Sequence, residues 1–143
     1  MIDLKFHHIG IITRDIEKCS DSFLNLSIVT NFGEIHKEES QGVNVRFGTN
    51  NDGILYEIIE PLNSESPINN ALIQGKNIIN HIGYIVKSID DTISYLNSEK
   101  LIPIGEPKPS KVFNNARVQF IYLSSNMLIE LIETDEPDSF NLL

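Results

Sequence analysis

The stretch FHHIGIITRDIEKCSDSFLN, residues 6–25, is repeated later in the chain as INHIGYIVKSIDDTISYLN, residues 79–97. The tripeptide HIG begins at His8 in the first stretch and at His81 in the second, an offset of 73 positions (81 − 8). A repeat of this length is the first sign of an internal duplication. The chain is therefore predicted to contain two copies of one unit.

Two later segments keep the same offset. ILYEIIE at residues 54–60 aligns with MLIELIE at residues 127–133, so that Glu57 aligns with Glu130 (130 − 57 = 73). An offset shared without gaps by separate segments indicates a duplicated module of about 65 residues.

Each copy is predicted to fold as β-α-β-β-β. The opening segments are apolar and β-branched, which is typical of strands. A helical pattern follows each of them, beginning at the caps Asp15 and Ser88. Three short strand patterns then close each copy, so we expect the α+β class.

The repeats also predict the organisation of the chain. It divides into a first module, a linker helix, a second module and an acidic tail, at residues 1–62, 63–77, 78–134 and 135–143. The linker helix is predicted because Ser66-Pro67 suits a helix start and Gly75 suits a helix end. We expect the tail to be loose.

Composition excludes several classes of function. The 143 residues carry 11 Lys and Arg against 20 Asp and Glu, a net charge of −9, which argues against a nucleic-acid partner. No apolar run approaches the roughly 20 residues of a membrane span, and the first residues do not resemble a signal peptide. Cys19 is the only cysteine, so no intrachain disulfide can form. We expect a cytoplasmic protein without a membrane partner.

Two histidines and two glutamates are the candidate metal ligands. His8 and His81 fall in opening strands, whereas Glu57 and Glu130 fall among aliphatic residues in closing strands. An ionised carboxylate in an apolar strand costs several kcal/mol unless it is paired or binds a metal. One such histidine could be a hydrogen-bonded structural residue, and one such glutamate could face solvent. Because both residue types are duplicated together, a divalent transition metal with two positions left open is favoured.

Other nearby polar residues fit this site less well. His7 lies on the opposite strand face from His8, and His36 has no histidine counterpart in the second copy. Glu60 and Glu133 are duplicated too, but three residues along a strand reverses the face. We expect these two glutamates at solvated or edge positions.

The chain resembles the vicinal oxygen chelate superfamily of glyoxalases and bleomycin-resistance proteins from about Leu4 to Glu133. The resemblance is carried by HHIGI at 7–11, YEIIEPL at 56–62, NHIGYIV at 80–86 and LIELIE at 128–133. It implies two tandem βαβββ modules forming a cupped mixed sheet around one divalent transition metal (Zn, Ni, Co or Mn). The ligands implied by position are His8, Glu57, His81 and Glu130.

Within the superfamily, the chain is most similar to methylmalonyl-CoA epimerase. The similar segments are EPLNSESPINNAL at 60–72, QGVNVRF at 41–47 and EPKPSK at 106–111. The resemblance implies a metal-dependent isomerase that moves the proton α to the thioester carbonyl of an acyl-CoA, with Glu130 as catalytic base. Lys111 and Arg117 could approach a CoA phosphate. The chain departs from the family at Val45, where some epimerases have a catalytic glutamate.

Two alternatives to this function remain open. Glyoxalase I (lactoylglutathione lyase), which acts on a glutathione thiohemiacetal, has the same ligand types. A non-catalytic drug- or metabolite-binding protein of the bleomycin-resistance type would bind without a metal, usually across a dimer groove. A homodimer is possible because strand edges in this architecture often pair.

Overall fold

The computed structural model describes residues 2–75, 79–97, 100–123 and 126–143. These residues contain eight strands and three α-helices: β1 (Lys5–Ile12), α1 (Ile16–Asn25), β2 (Asn31–Glu38), β3 (Val43–Thr49), β4 (Leu55–Pro61), α2 (Asn69–Gln74), β5 (Ile79–Val86), α3 (Ile89–Leu96), β6 (Ile102–Ser110), β7 (Ala116–Tyr122) and β8 (Leu128–Glu133). None of the helices in these ranges is long and apolar enough to cross a membrane.

The strands confirm the α+β class and the β-α-β-β-β order of each module. In the first module the strand order is β2-β3-β4-β1, and in the second it is β5-β8-β7-β6. The opening strand pairs in parallel with the closing strand in each case, and the remaining pairs are antiparallel. A parallel pair beside antiparallel pairs makes each sheet mixed.

The chain divides into two compact units. One consists of His8–Asn80 with Leu142–Leu143, and the other consists of Met1–His7 with His81–Asn141. The junction between the predicted linker and the second module, at residues 76–78, lies outside the described residues.

A helix cap and a close packing contact at a glycine stabilise the first module. Asp15 caps α1, since its side chain accepts a hydrogen bond from the Lys18 N–H at 3.0 Å. A Cβ at Gly48 would lie 2.6 Å from the side chains of Phe32 and Val29. Glycine at this point of β3 therefore lets the edge strand and the segment before it pack onto the sheet.

The second module has an aliphatic core beneath α3. The buried residues of this core come from three strands and one helix: Val86, Ile89, Ile121, Ile129 and Leu131. Ser88 caps the helix, its hydroxyl accepting the Asp91 N–H at 3.1 Å, as the sequence predicts. Burial of this apolar face holds α3 against β7 and β8.

The linker helix is shorter than predicted. It begins at Asn69 rather than at Pro67, although Gly75 ends it in a left-handed conformation (φ 63°) as expected. The residues before it form a turn in which the Asn69 N–H and side-chain amide both donate to the Ser66 carbonyl. These bonds satisfy a carbonyl that an earlier helical turn would otherwise have used.

The acidic tail is packed rather than loose, so this expectation is wrong. The Asn114 side chain donates to the Ser139 carbonyl at 3.1 Å, and the Phe140 ring packs against Phe113 with centroids 5.2 Å apart. Leu142 is 7% exposed. The apolar residues within the tail anchor it although most of its other residues are polar or acidic.

Candidate metal centre

The first histidine–glutamate pair lies on neighbouring parallel strands. His8 on β1 is completely buried, and Glu57 on β4 is 5% exposed. The register places Gly10 beside Glu57 and so positions the His8 ring next to the carboxylate. His8 Nε2 lies 2.8 Å from Glu57 Oε2.

The second pair has the same arrangement in the other module. His81 on β5 and Glu130 on β8 are both buried, and Gly83 pairs with Glu130 in the parallel register. His81 Nε2 lies 3.9 Å from Glu130 Oε1. Duplication has therefore preserved the strand positions of both residue types, while this carboxylate stands farther from its histidine.

A phenylalanine packs against each histidine. Phe47 pairs with Glu57 across β3 and β4, and its ring meets His8 edge-on at 5.7 Å. Phe120, 73 positions later (120 − 47), pairs with Glu130 and meets His81 edge-on at 5.2 Å. The repeat of a phenylalanine at this offset is visible in the sequence, but the contact of each phenylalanine with a histidine is evident only in the structure.

The four side chains form a buried group that could hold a metal ion. Each offers one ligand atom, and these atoms all lie within 4.8 Å of one another: His8, Glu57, His81 and Glu130. Two imidazoles and two carboxylates suit a divalent transition metal, so the chemistry of the donors fits such an ion.

The second duplicated pair of glutamates caps helices and is not simply solvated. Glu60 Oε2 accepts the Ile16 N–H at 2.8 Å, and Glu133 Oε2 accepts the Ile89 N–H at 2.8 Å. Both carboxylates are only partly exposed. Their side chains leave the strand face opposite to the ligand carboxylates, as the spacing predicts, but α1 and α3 cover that face. A negative charge there stabilises the helix N-terminus.

The two cationic residues proposed to bind the substrate differ in their surroundings. Lys111 lies in a single 3₁₀ turn after β6 and is exposed. Arg117 on β7 lies 3.5 Å from Asp90 and 3.7 Å from Glu133. Because Arg117 is three residues before the β7 position that pairs with Glu130, the two side chains leave opposite faces of the sheet.

Cys19 adds no donor to the buried group and is not poised as a nucleophile. It is half-buried on α1, and burial raises the pKa of its thiol. The nearby Asp15 carboxylate adds to this rise in pKa, while a hydrogen bond with Thr13 opposes it. A raised pKa leaves little reactive thiolate at neutral pH.

The sequence profile of the Glyoxalase/Bleomycin resistance protein/Dioxygenase superfamily matches residues 7–120. The chain belongs to this superfamily. The family resemblance drawn from the repeated HIG and glutamate motifs is thereby confirmed. No curated protein sequence matches the chain significantly.

Solved structures with the same fold include proteins of known and unknown activity. A hypothetical protein from Bacillus halodurans is 28% identical, with a TM-score of 0.80 and coverage of 94% of this chain and 96% of that chain. Methylmalonyl-CoA epimerase from Mycobacterium tuberculosis is 20% identical, with a TM-score of 0.76 and coverage of 91% and 86%.

A methylmalonyl-CoA epimerase variant from Streptomyces coelicolor, solved in complex with 2-nitronate-propionyl-CoA, is 18% identical, with a TM-score of 0.77 and coverage of 93% and 99%. At these identities the likeness to the epimerases is one of fold.

Proposed function

We propose that this protein is a divalent-metal-dependent isomerase that moves the proton α to the thioester carbonyl of an acyl-CoA, as in the epimerisation of methylmalonyl-CoA. The observation that carries the proposal is the buried group of two histidines and two glutamates at duplicated strand positions. The fold shared with methylmalonyl-CoA epimerases supports the substrate class.

In this proposal the four side chains hold one metal of the Zn, Ni, Co or Mn type: His8, Glu57, His81 and Glu130. When bound, the metal supplies Lewis-acid stabilisation of the negative charge that develops on the substrate's carbonyl oxygen. The protein holds the histidine donors in position, because each histidine lies on a parallel strand pair and packs edge-on against a phenylalanine.

Glu130 is the proposed catalytic base. Its carboxylate lies 3.9 Å from His81 Nε2 within the buried group. The resemblance to the epimerases assigns the base to this position, and a carboxylate is a group that can accept the proton α to a carbonyl. Its 2% exposure also keeps bulk water from competing for the proton.

Lys111 and Arg117 remain the proposed contacts for the phosphates of CoA. Lys111 is exposed, so its ammonium can reach a ligand at little cost. Arg117 must leave the carboxylates of Asp90 and Glu133 to do the same. The larger contribution is therefore expected from Lys111.

Metal analysis followed by an isotope assay tests the proposal. The isolated protein should contain about one divalent metal per chain, and His81→Ala should lose most of it while His36→Gln retains it. With methylmalonyl-CoA in D2O, deuterium should enter C2, and chelation of the metal should stop the exchange. Metal-loaded protein that gives no exchange at C2 would contradict the proposed reaction.

Glyoxalase I is the second candidate function, and Val45 is the observation that favours it. This residue, at the position where some epimerases have a catalytic glutamate, is an apolar side chain with 1% exposure. Glyoxalase chemistry moves a proton between adjacent carbons and can use one carboxylate, so it needs no second base at Val45. Turnover of a glutathione thiohemiacetal without exchange into methylmalonyl-CoA would favour it. Tight ligand binding without either turnover would instead favour a drug- or metabolite-binding protein.

A further inference from the structure

Inversion at a carbon requires two acid/base groups. One group removes the proton from one face of the carbanion, and another delivers a proton to the opposite face. If the proposed function holds, Glu130 supplies only the first of these groups. The strand register of the first module indicates a residue for the second.

His36 shares a sheet face with the ligand Glu57. Glu57 on β4 pairs with Phe47 on β3. Two residues farther along β4, Ile59 pairs with Val45 on β3. Val45 pairs on its other side with His36 on β2. Residues directly opposite one another across strands share a face, and so does every second residue along a strand. The imidazole of His36 therefore leaves the sheet on the face that carries the Glu57 carboxylate.

The register also fixes how far His36 lies from the first histidine–glutamate pair. His36 is two strands and two residues away from Glu57, which puts their backbone positions about 12 Å apart. The imidazole is only partly exposed. Within residues 2–75, 79–97, 100–123 and 126–143, no hydrogen bond or ion pair found in the structure engages its nitrogens, so a substrate does not have to displace a protein partner.

Two other titratable residues of β2 are spaced an even number of residues from His36. Glu34 is exposed and falls at the register shift between Phe32 and Ile35, which interrupts the strand alternation there. Glu38 lies on the face of His36 and fits less well. It pairs with Val43, which in turn pairs with Pro61, four residues along β4 from Glu57. Its backbone position is therefore about 17 Å from that of Glu57.

We propose that His36 is the second catalytic residue of the epimerisation, a proton donor and acceptor facing the substrate. In one direction the Glu130 carboxylate takes the C2 proton, and the C–H bonding pair passes into the enolate. The His36 imidazolium then releases its N–H proton to the opposite face of C2. A new C–H bond forms, the imidazole becomes neutral, and both groups are reset by proton exchange with water.

The test compares inversion with isotope exchange, using three variants of the metal-loaded protein. His36→Gln should slow inversion of methylmalonyl-CoA by at least about 100-fold. Deuterium should still enter C2 of the epimer whose proton Glu130 removes, and it should no longer enter the other epimer at a comparable rate. Lys37→Gln, an exposed neighbour on the opposite face of the strand, should leave both rates unchanged.

Lys108→Met is the matched variant in the second module, because Lys108 pairs with Val118 as His36 pairs with Val45. It should keep inversion. Loss of inversion in Lys108→Met but not in His36→Gln would overturn the assignment, as would a His36→Gln variant that loses exchange in both epimers. If His36→Gln loses its fold, His36→Ala supplemented with imidazole provides the readout, and failure of added imidazole to restore inversion overturns the proposal. Absence of exchange in the unaltered protein would instead refute the proposed function itself.

Discussion

Each closing strand carries two glutamates, one that caps a helix and one proposed as a metal ligand. Replacing the capping glutamate should lower stability without removing the proposed metal. In Glu133→Ala the Ile89 N–H loses the carboxylate that accepts it at 2.8 Å. Ile89 is completely buried, so water does not easily replace that acceptor. An unsatisfied buried donor costs about 1–3 kcal/mol, and losing a negative charge at a helix N-terminus costs about 0.3–1 kcal/mol. We expect a loss of about 2 kcal/mol.

This loss can be measured as a shift in Tm of the metal-free protein. At about 2.1 cal/mol/K per residue, a chain of 143 residues unfolds with an entropy of about 0.3 kcal/mol/K. A loss of 2 kcal/mol therefore lowers Tm by about 7 °C. Glu133→Gln keeps a carbonyl oxygen as acceptor but loses the charge, so its Tm should fall by only about 2–3 °C. Calorimetry or circular dichroism melts measure both shifts.

Glu130, the proposed ligand three positions earlier, is the matched control. Glu130→Gln should lose metal affinity, while Glu133→Ala should bind as much metal as the unaltered protein at a temperature where both are folded. A Glu133→Ala variant that melts within about 1 °C of the unaltered protein would refute the capping role of Glu133. Loss of metal from Glu133→Ala to the same extent as from Glu130→Gln would refute the separation of the two roles.

Three further outcomes are expected. Because the pKa of the Cys19 thiol is raised, its alkylation by iodoacetamide should have a pH midpoint above that of a free cysteine, and a midpoint below it would contradict the burial argument. Gln119→Leu removes a buried amide that donates to the carbonyls of Ile104 at 2.7 Å and Gly105 at 3.0 Å, so the free energy of unfolding in urea should fall by about 2 kcal/mol; an unchanged midpoint would contradict it. Phe140→Ala should make the C-terminal tail more sensitive to proteases, whereas cleavage at the original rate would show that the ring does not anchor it.

The duplication made it predictable from sequence that the two histidine–glutamate pairs occupy equivalent strand positions. A constant offset of 73 aligns His8 with His81 and Glu57 with Glu130, and the same parallel register occurs in both modules. The alternation of strand faces also predicts that Glu60 and Glu133 lie on the opposite face from Glu57 and Glu130. Local capping signals at Asp15 also predicted the start of a helix.

Features that depend on tertiary packing were not predictable from these patterns. Strand alternation predicts solvated positions for Glu60 and Glu133, because it does not reveal that a helix N-terminus docks on each of them. The sequence predicts a start of α2 that is too early, because the turn at Ser66 competes with helix formation through side-chain hydrogen bonds. The ion pairs of Arg117 likewise join residues distant in sequence.

The residues that attach the helices are different from those proposed to bind the ion, and this separation affects how such a protein can change over generations. A substitution at Glu57 or Glu130 removes a donor atom but leaves the carboxylates that fasten α1 and α3 in place. The scaffold can then survive the loss of its chemistry, and a descendant can acquire a new task before it has to repair its architecture. This independence offers a physical reason why one superfamily can include both catalysts and simple binding proteins.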